Sequence, residues 1–155
     1  MTQQLTTGAT APELTLTDHH SNPVRLSELR GQKVIVYFYP KAFTPGCTTE
    51  ACDFRDNIAS LQGLGYTVLG VSGDDLESLQ HFAREHRLPY RLLSDPDGRA
   101  AQAWGAWGEK IVNGATLVGP LRSTVVVNEE GIVVSAEYNV QADGHVAALR
   151  ERLTV

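Results

Sequence analysis

The chain is short of several things, and each shortage narrows what it can be. It carries no long basic run and a formal net charge of −5. That argues against a nucleic acid partner, which needs a basic surface. It has no apolar stretch long enough to cross a bilayer, so no membrane association is expected. Met1 to Ala11 is polar and lacks the apolar core of a secretory signal, so the expected setting is cytoplasmic and reducing. The five histidines, His19, His20, His81, His86 and His145, make no metal-ligand spacing with the cysteines. Surface or capping roles are expected for them, and no metal or organic cofactor. There is no internal repeat, linker or low-complexity segment, and no Gly-rich phosphate loop. Only two cysteines are present. In a reducing setting such a pair points to chemistry rather than to a structural bridge.

What remains suits one domain over residues 1–155, with an ordinary hydrophobic fraction of 42%. Both cysteines fall in Phe43-Thr44-Pro45-Gly46-Cys47-Thr48-Thr49-Glu50-Ala51-Cys52. An unbroken apolar run, Val34 to Tyr39, and then Pro40 precede this stretch. Such a run reads as a central strand covered on both faces. Phe54, Ile58 and Leu61 follow at helical spacing. The order is strand, tight connection, helix, with Pro45-Gly46 where the loop ends. Cys47 then lies in the first helical turn, where unpaired N–H groups and the helix dipole stabilise a thiolate over a thiol. The alternative is a small buried apolar cysteine.

Around this centre the pattern is regular. Leu14, Leu16, Val24 and Leu26 suggest a β-hairpin with a long turn, after a polar arm over 1–12. Ser27-Glu28-Leu29 suggests one helical turn. Tyr66–Ser72 and Tyr90–Ser94 read as strands. Between them, Asp74 or Asp75 caps a helix carrying Leu76, Leu79, Phe82 and Ala83. A short helix is expected over Ala100–Trp104. Residues 105–120 are Gly-rich and suggest no definite element. Thr124–Asn128 and Ile132–Tyr138 flank a hairpin turn, and a helix with Val146, Leu149 and Leu153 closes the chain behind Asp143. The sum is an α/β layer with a mixed central sheet flanked by helices. Pattern alone fits a thioredoxin-like or a flavodoxin-like sheet, and the missing phosphate loop argues against the second.

Pro40-Lys41-Ala42-Phe43-Thr44-Pro45-Gly46-Cys47 resembles the Pro-x-x-x-Thr-x-x-Cys motif of peroxiredoxins. Thr48-Thr49-Glu50-Ala51-Cys52 is similar to the Q-type subgroup, also called bacterioferritin comigratory proteins or thioredoxin-dependent thiol peroxidases. Trp107-Gly108-Glu109-Lys110 and Arg122-Ser123-Thr124 resemble two further segments of that family. The resemblance runs from about residue 8 to the C-terminus. It implies a thioredoxin-like fold with an N-terminal hairpin extension, and a monomer. It implies a thiol peroxidase acting on hydrogen peroxide and small organic hydroperoxides, with thioredoxin as the reductant.

The resemblance also distributes roles. Cys47 is the nucleophile and becomes sulfenic acid; Cys52 resolves it to an intramolecular disulfide. Thr44 hydrogen-bonds the peroxide, unless it is only a turn or N-cap residue. Pro40 shields the thiolate, unless it merely ends a strand. Arg122 lies beside Cys47; by residue type alone it is a solvated surface charge. Glu50 suits a helix start but opposes a thiolate one turn away, a conflict that eases if it pairs with Arg122. Lys41 is expected in solvent. Two rival functions stand beside this: a disulfide oxidoreductase, which normally uses Cys-x-x-Cys, and a non-catalytic redox sensor.

Helix geometry generates a prediction. Residues five apart on one helix are separated by about 7.5 Å along the axis and about 140° around it, or roughly 8.6 Å between Cα atoms. A disulfide needs about 4.4–6.8 Å. Oxidation should therefore melt residues from about Gly46 to Asp53. Amide exchange protection of 47–54 should drop in the disulfide form while the Val34–Tyr39 strand stays protected. Equal protection in both forms, with the intramolecular bond confirmed by mass spectrometry, would overturn the expectation.

Overall fold

The computed structural model describes residues 3–154, without the side chain of Val112. Met1 and Thr2 of the expected arm, and Val155, lie outside that range. In chain order the strands are β1 (Thr15–Asp18), β2 (Pro23–Arg25), β3 (Lys33–Phe38), β4 (Tyr66–Ser72), β5 (Arg91–Ser94), β6 (Trp107–Val112), β7 (Ala115–Pro120), β8 (Ser123–Val127) and β9 (Val133–Glu137). The helices are α1 (Pro45–Gly63), α2 (Leu76–Glu85), α3 (Arg99–Ala103) and α4 (His145–Thr154), with one 3-10 turn at Leu26–Leu29.

Seven strands form one sheet in the order β2-β1-β5-β4-β3-β8-β9. The apolar run of β3 lies inside the sheet, beside the middle strand β4, and both of its faces are covered. Ile35, Tyr37 and Tyr39 face Phe54 and Leu61 of α1, Leu79 and Phe82 of α2, and Val146 and Leu149 of α4. Val34, Val36 and Phe38 face the β1–β2 hairpin and Ala101 and Trp104 on the α3 side. β3 runs parallel to β4 and antiparallel to β8. That antiparallel neighbour makes the sheet mixed and removes the all-parallel flavodoxin-like alternative. It also brings the segment just before β8 to the C-terminal end of β3, where α1 begins.

Two stretches gain definite places. In the polar arm, Gly8 donates to the Val133 carbonyl and Ala11 to that of Gly131, so this part lines the start of β9. Residues 105–120, left unassigned above, contain the antiparallel β6–β7 hairpin. Its Ile111, Leu117 and Val118 are exposed, so it shows no one-sided apolar alternation.

Close packing at the sheet centre depends on one glycine. Gly70 of β4 pairs with Tyr37 of β3. A Cβ there would lie 2.9 Å from the Tyr37 phenol and 3.0 Å from a Leu92 methyl. Gly70→Ala should cost about 1–3 kcal/mol of stability through overpacking. An unchanged urea midpoint would show that the Tyr37 ring can move aside.

Candidate active site

The loop after β3 is tied down before α1 begins. The Ala42 N–H donates to Asp74 Oδ2 at 2.8 Å, and Ser72 Oγ donates to the same oxygen at 2.7 Å. Phe43 adopts φ 67°, unusual for a non-glycine residue. Its ring packs on Phe82 and His81, with centroids 5.0 and 5.2 Å away. Thr44 follows in extended conformation at the N-cap position, and its carbonyl accepts from the Thr48 N–H at 2.9 Å. Pro45 supplies the first helical residue. Cys47 is therefore the third, in the turn whose N–H groups lack helical partners.

Cys47 is buried, with 1% exposure. Arg122, on the segment leading into β8, points its guanidinium at it: Nη2 lies 3.3 Å from the Cys47 Sγ. The other terminal nitrogen, Nη1, donates to Glu50 Oε1 at 2.8 Å. The expected pairing of Glu50 with Arg122 is thus present in the geometry, with Cys47 as the third member. Gly46 leaves the space for it, since a Cβ there would sit 3.0 Å from Arg122 Nη2. Val140 donates to the Arg122 carbonyl at 2.9 Å and holds the segment from behind.

Glu50 has no exposed surface, and its Oε2 has no partner among the described residues. Burial pushes its carboxyl up to about 7, against the opposing pull of the Arg122 guanidinium. For Arg122, burial alone would lower its value, but the Glu50 carboxylate and the Cys47 sulfur together raise it. The guanidinium stays charged across the neutral range while the carboxylate beside it titrates there.

Thr44 is not the side-chain N-cap it might have been. Its hydroxyl donates to the Lys41 carbonyl at 2.7 Å and makes no cap bond. Its lone pairs remain available. Pro40 is half-buried at the end of β3, and Lys41 is exposed as expected. Cys52 is half-buried on the same unbroken α1, and both cysteines are free.

Sequence reasoning missed three contributors. Asp74 tethers the loop, although Asp75 is the residue that caps α2. Phe43 seats the loop on α2. His145, for which a surface or capping role is expected, is buried, and its Nε2 shares a hydrogen bond of 2.8 Å with Thr124 Oγ1. His19 is likewise buried, with Nδ1 accepting from the Leu92 N–H. Only the two adjacent aspartates hinted at any of this. Among the described residues, no group of three or more His, Cys, Asp or Glu side chains could hold a metal ion. No described helix is long and apolar enough to cross a membrane.

The buried carboxyl sets a pH dependence. Its folded-state value of about 7 lies above the ordinary 4.5, so the unfolded chain ionises it first. Its contribution to stability is complete below the ordinary value and is lost as pH rises through the folded one. In Glu50→Gln this dependence disappears. The stability of the unsubstituted protein relative to Glu50→Gln should therefore fall between about pH 5 and pH 8. A difference independent of pH would mean that folded Glu50 stays ionised throughout.

Comparisons with known proteins give the chain a family. Residues 7–136 match the model of the AhpC/TSA family. A Mycobacterium tuberculosis protein named as a peroxiredoxin is 52% identical over 154 residues, covering 99% of this chain and 98% of its own. Peroxiredoxin Bcp of Escherichia coli K12 is 43% identical over 127 residues, covering 82% and 81% of the two chains. The solved structure of Xanthomonas campestris peroxiredoxin Q superposes with a TM-score of 0.86 at 33% identity, covering 99% of this chain and 96% of that one. The sheet and its flanking helices are therefore a thioredoxin-like fold. A helix-start cysteine facing a half-buried arginine, in a chain this similar to those proteins, has one family placement: the chain belongs to the AhpC/TSA family, among the peroxiredoxins of the Bcp or Q type, which are thiol peroxidases.

Proposed function

We propose that Cys47 reduces hydrogen peroxide and small organic hydroperoxides, and that the observation carrying this is the Arg122 bridge from Cys47 Sγ to Glu50. The Cys47 thiolate attacks one peroxide oxygen. An S–O bond forms, the O–O bond breaks, and the second oxygen leaves as hydroxide or alkoxide that takes up a proton. Negative charge moves from sulfur to the leaving oxygen, so fixed donors must line both positions. Arg122 has N–H groups beyond the two already used and serves this charge. Glu50 holds Arg122 in place.

Thr44 orients the peroxide. Its own hydrogen is committed to the Lys41 carbonyl. Its oxygen therefore accepts from the peroxide O–H rather than donating to it. Pro40 shields the sulfur from water.

Cys52 then condenses with the sulfenic acid to give an intramolecular disulfide and water. An external dithiol of the thioredoxin kind reduces that bond by exchange. Because both cysteines lie in one continuous α1, this step requires the first turns to unwind. We take residues 1–155 to act as one domain, as a monomer in a reducing cytoplasm.

The substitutions separate the steps. Cys47→Ser should abolish peroxide turnover. Cys52→Ser should still consume one equivalent of peroxide and accept a sulfenic-acid probe, while thioredoxin-coupled turnover collapses. Arg122→Met should slow Cys47 oxidation about 10²–10³-fold, the usual loss for one fixed oxyanion donor. Substantial turnover by Cys47→Ser would sink the assignment; full coupled turnover by Cys52→Ser would move resolution to an external thiol.

A further inference from the structure

The disulfide step needs part of α1 to come apart, and the helix marks where the break ends. Phe54 has no exposure and stacks on Tyr37, ring centroids 4.4 Å apart. Arg55 donates from Nη1 to the His86 carbonyl beyond α2, at 2.7 Å. From Phe54 onward α1 is bolted to the sheet and to α2. Before it, the ties are Arg122 to Cys47 and Glu50, and the Tyr90 hydroxyl donating to the Ala51 carbonyl at 2.9 Å. Oxidation of Cys47 weakens the first tie, because a neutral sulfenic acid replaces a thiolate beside the guanidinium.

Asp53 lies on that boundary and suits the intact helix poorly. Aspartate is among the weaker helix formers because its side chain competes for nearby backbone groups. Among the described residues its carboxylate accepts no hydrogen bond. Burial, then the charges of Asp56 one turn on and Asp143 before α4, hold its carboxyl above the ordinary value.

In a helix beginning at Phe54 the poor propensity and the unused carboxylate both turn to advantage, and Asp56 gains a favourable place. Asp53 becomes the N-cap, where aspartate is among the preferred residues, and its carboxylate can accept from the N–H groups of Arg55 and Asp56. Asp56 falls in the new first turn, where the helix dipole favours negative charge. The Asp53 carbonyl, already accepting from Asn57 Nδ2 at 2.8 Å, is the one that takes the first bond of the shortened helix.

We infer that Asp53 is a positioning residue for the step that joins Cys47 to Cys52, acting as a second, latent N-cap at which the unwinding of α1 stops. Cys52 is then left just outside the shortened helix, on chain free to approach Cys47. Its sulfur attacks the sulfenic sulfur, the S–S bond forms, the S–O bond breaks, and hydroxide leaves with the thiol proton as water. The inference rests on the Cys47–Cys52 reading above.

The test uses the full chain, reduced and mixed with one equivalent of hydrogen peroxide. Peroxide loss reports the first step; acid quench, alkylation and mass spectrometry report the disulfide. Asp53→Ala should leave peroxide loss unchanged and slow disulfide formation about fivefold, the order expected for a lost N-cap. Asp53→Ser, which can still cap, should restore it. Amide exchange of residues 47–53 in reduced Asp53→Ala should become slower, since alanine favours the intact helix. Protection that rises while resolution slows is not what simple damage to the fold produces. Disulfide formation in Asp53→Ala as fast as in the unsubstituted chain, or in Asp53→Ser as slow as in Asp53→Ala, would overturn the inference. An unsubstituted chain that consumes peroxide yet forms no Cys47–Cys52 bond would overturn the reading beneath it as well, and would show this before any substitution is compared.

Discussion

One guanidinium organises this protein. Arg122 reaches Cys47 with one terminal nitrogen and Glu50 with the other, and both partners are buried. Such a charge is costly to bury unless each donor finds an acceptor. Here two oppositely placed acceptors come from one helix, and the arginine comes from a different part of the sheet. The antiparallel placement of β8 beside β3 is what makes the encounter possible. Removing the arginine leaves both of its buried partners unpaired, whereas removing either partner leaves Arg122 one acceptor, so the start of α1 depends most on the guanidinium.

Glu50 is the least comfortable member. Burial works against its charge and Arg122 works for it, and burial wins by enough to bring its carboxyl into the neutral range. A bare helix-start cysteine would need only the dipole. This arrangement instead links sulfur, arginine and carboxyl, so that a change at the sulfur is felt by the contact that fastens the helix.

Much of this could be read from the residues. The strand from Val34 stands out because six neighbouring apolar residues leave no solvent face, and α1 follows from Phe54, Ile58 and Leu61. The proximity of Arg122 to Cys47 was not readable from spacing, because the two are 75 positions apart and a single arginine carries no period. Only the likeness of Arg122-Ser123-Thr124 to a family segment pointed there. The β6–β7 hairpin escaped because glycines interrupt it and its Ile111, Leu117 and Val118 face outward. Buried His19 and His145 escaped because their partners are a backbone N–H and a remote threonine hydroxyl, neither of which leaves a local pattern.

The tether of the loop to Asp74 has a consequence for timing. Ala42 and Phe43 are fastened to the start and body of α2, not to α1. In the unwinding proposed above, the wall against which the first turns of α1 rewind does not move. The returning segment need not search for its loop; it adds turns to a helix whose remainder is intact, so no new nucleus is required. Helix growth of this kind proceeds at about a nanosecond per residue, so even with nearby rearrangements the pocket re-forms on the order of a microsecond. In the proposed cycle the interval between one peroxide and the next is then governed by thiol exchange with the reductant, and hardly at all by rebuilding the pocket.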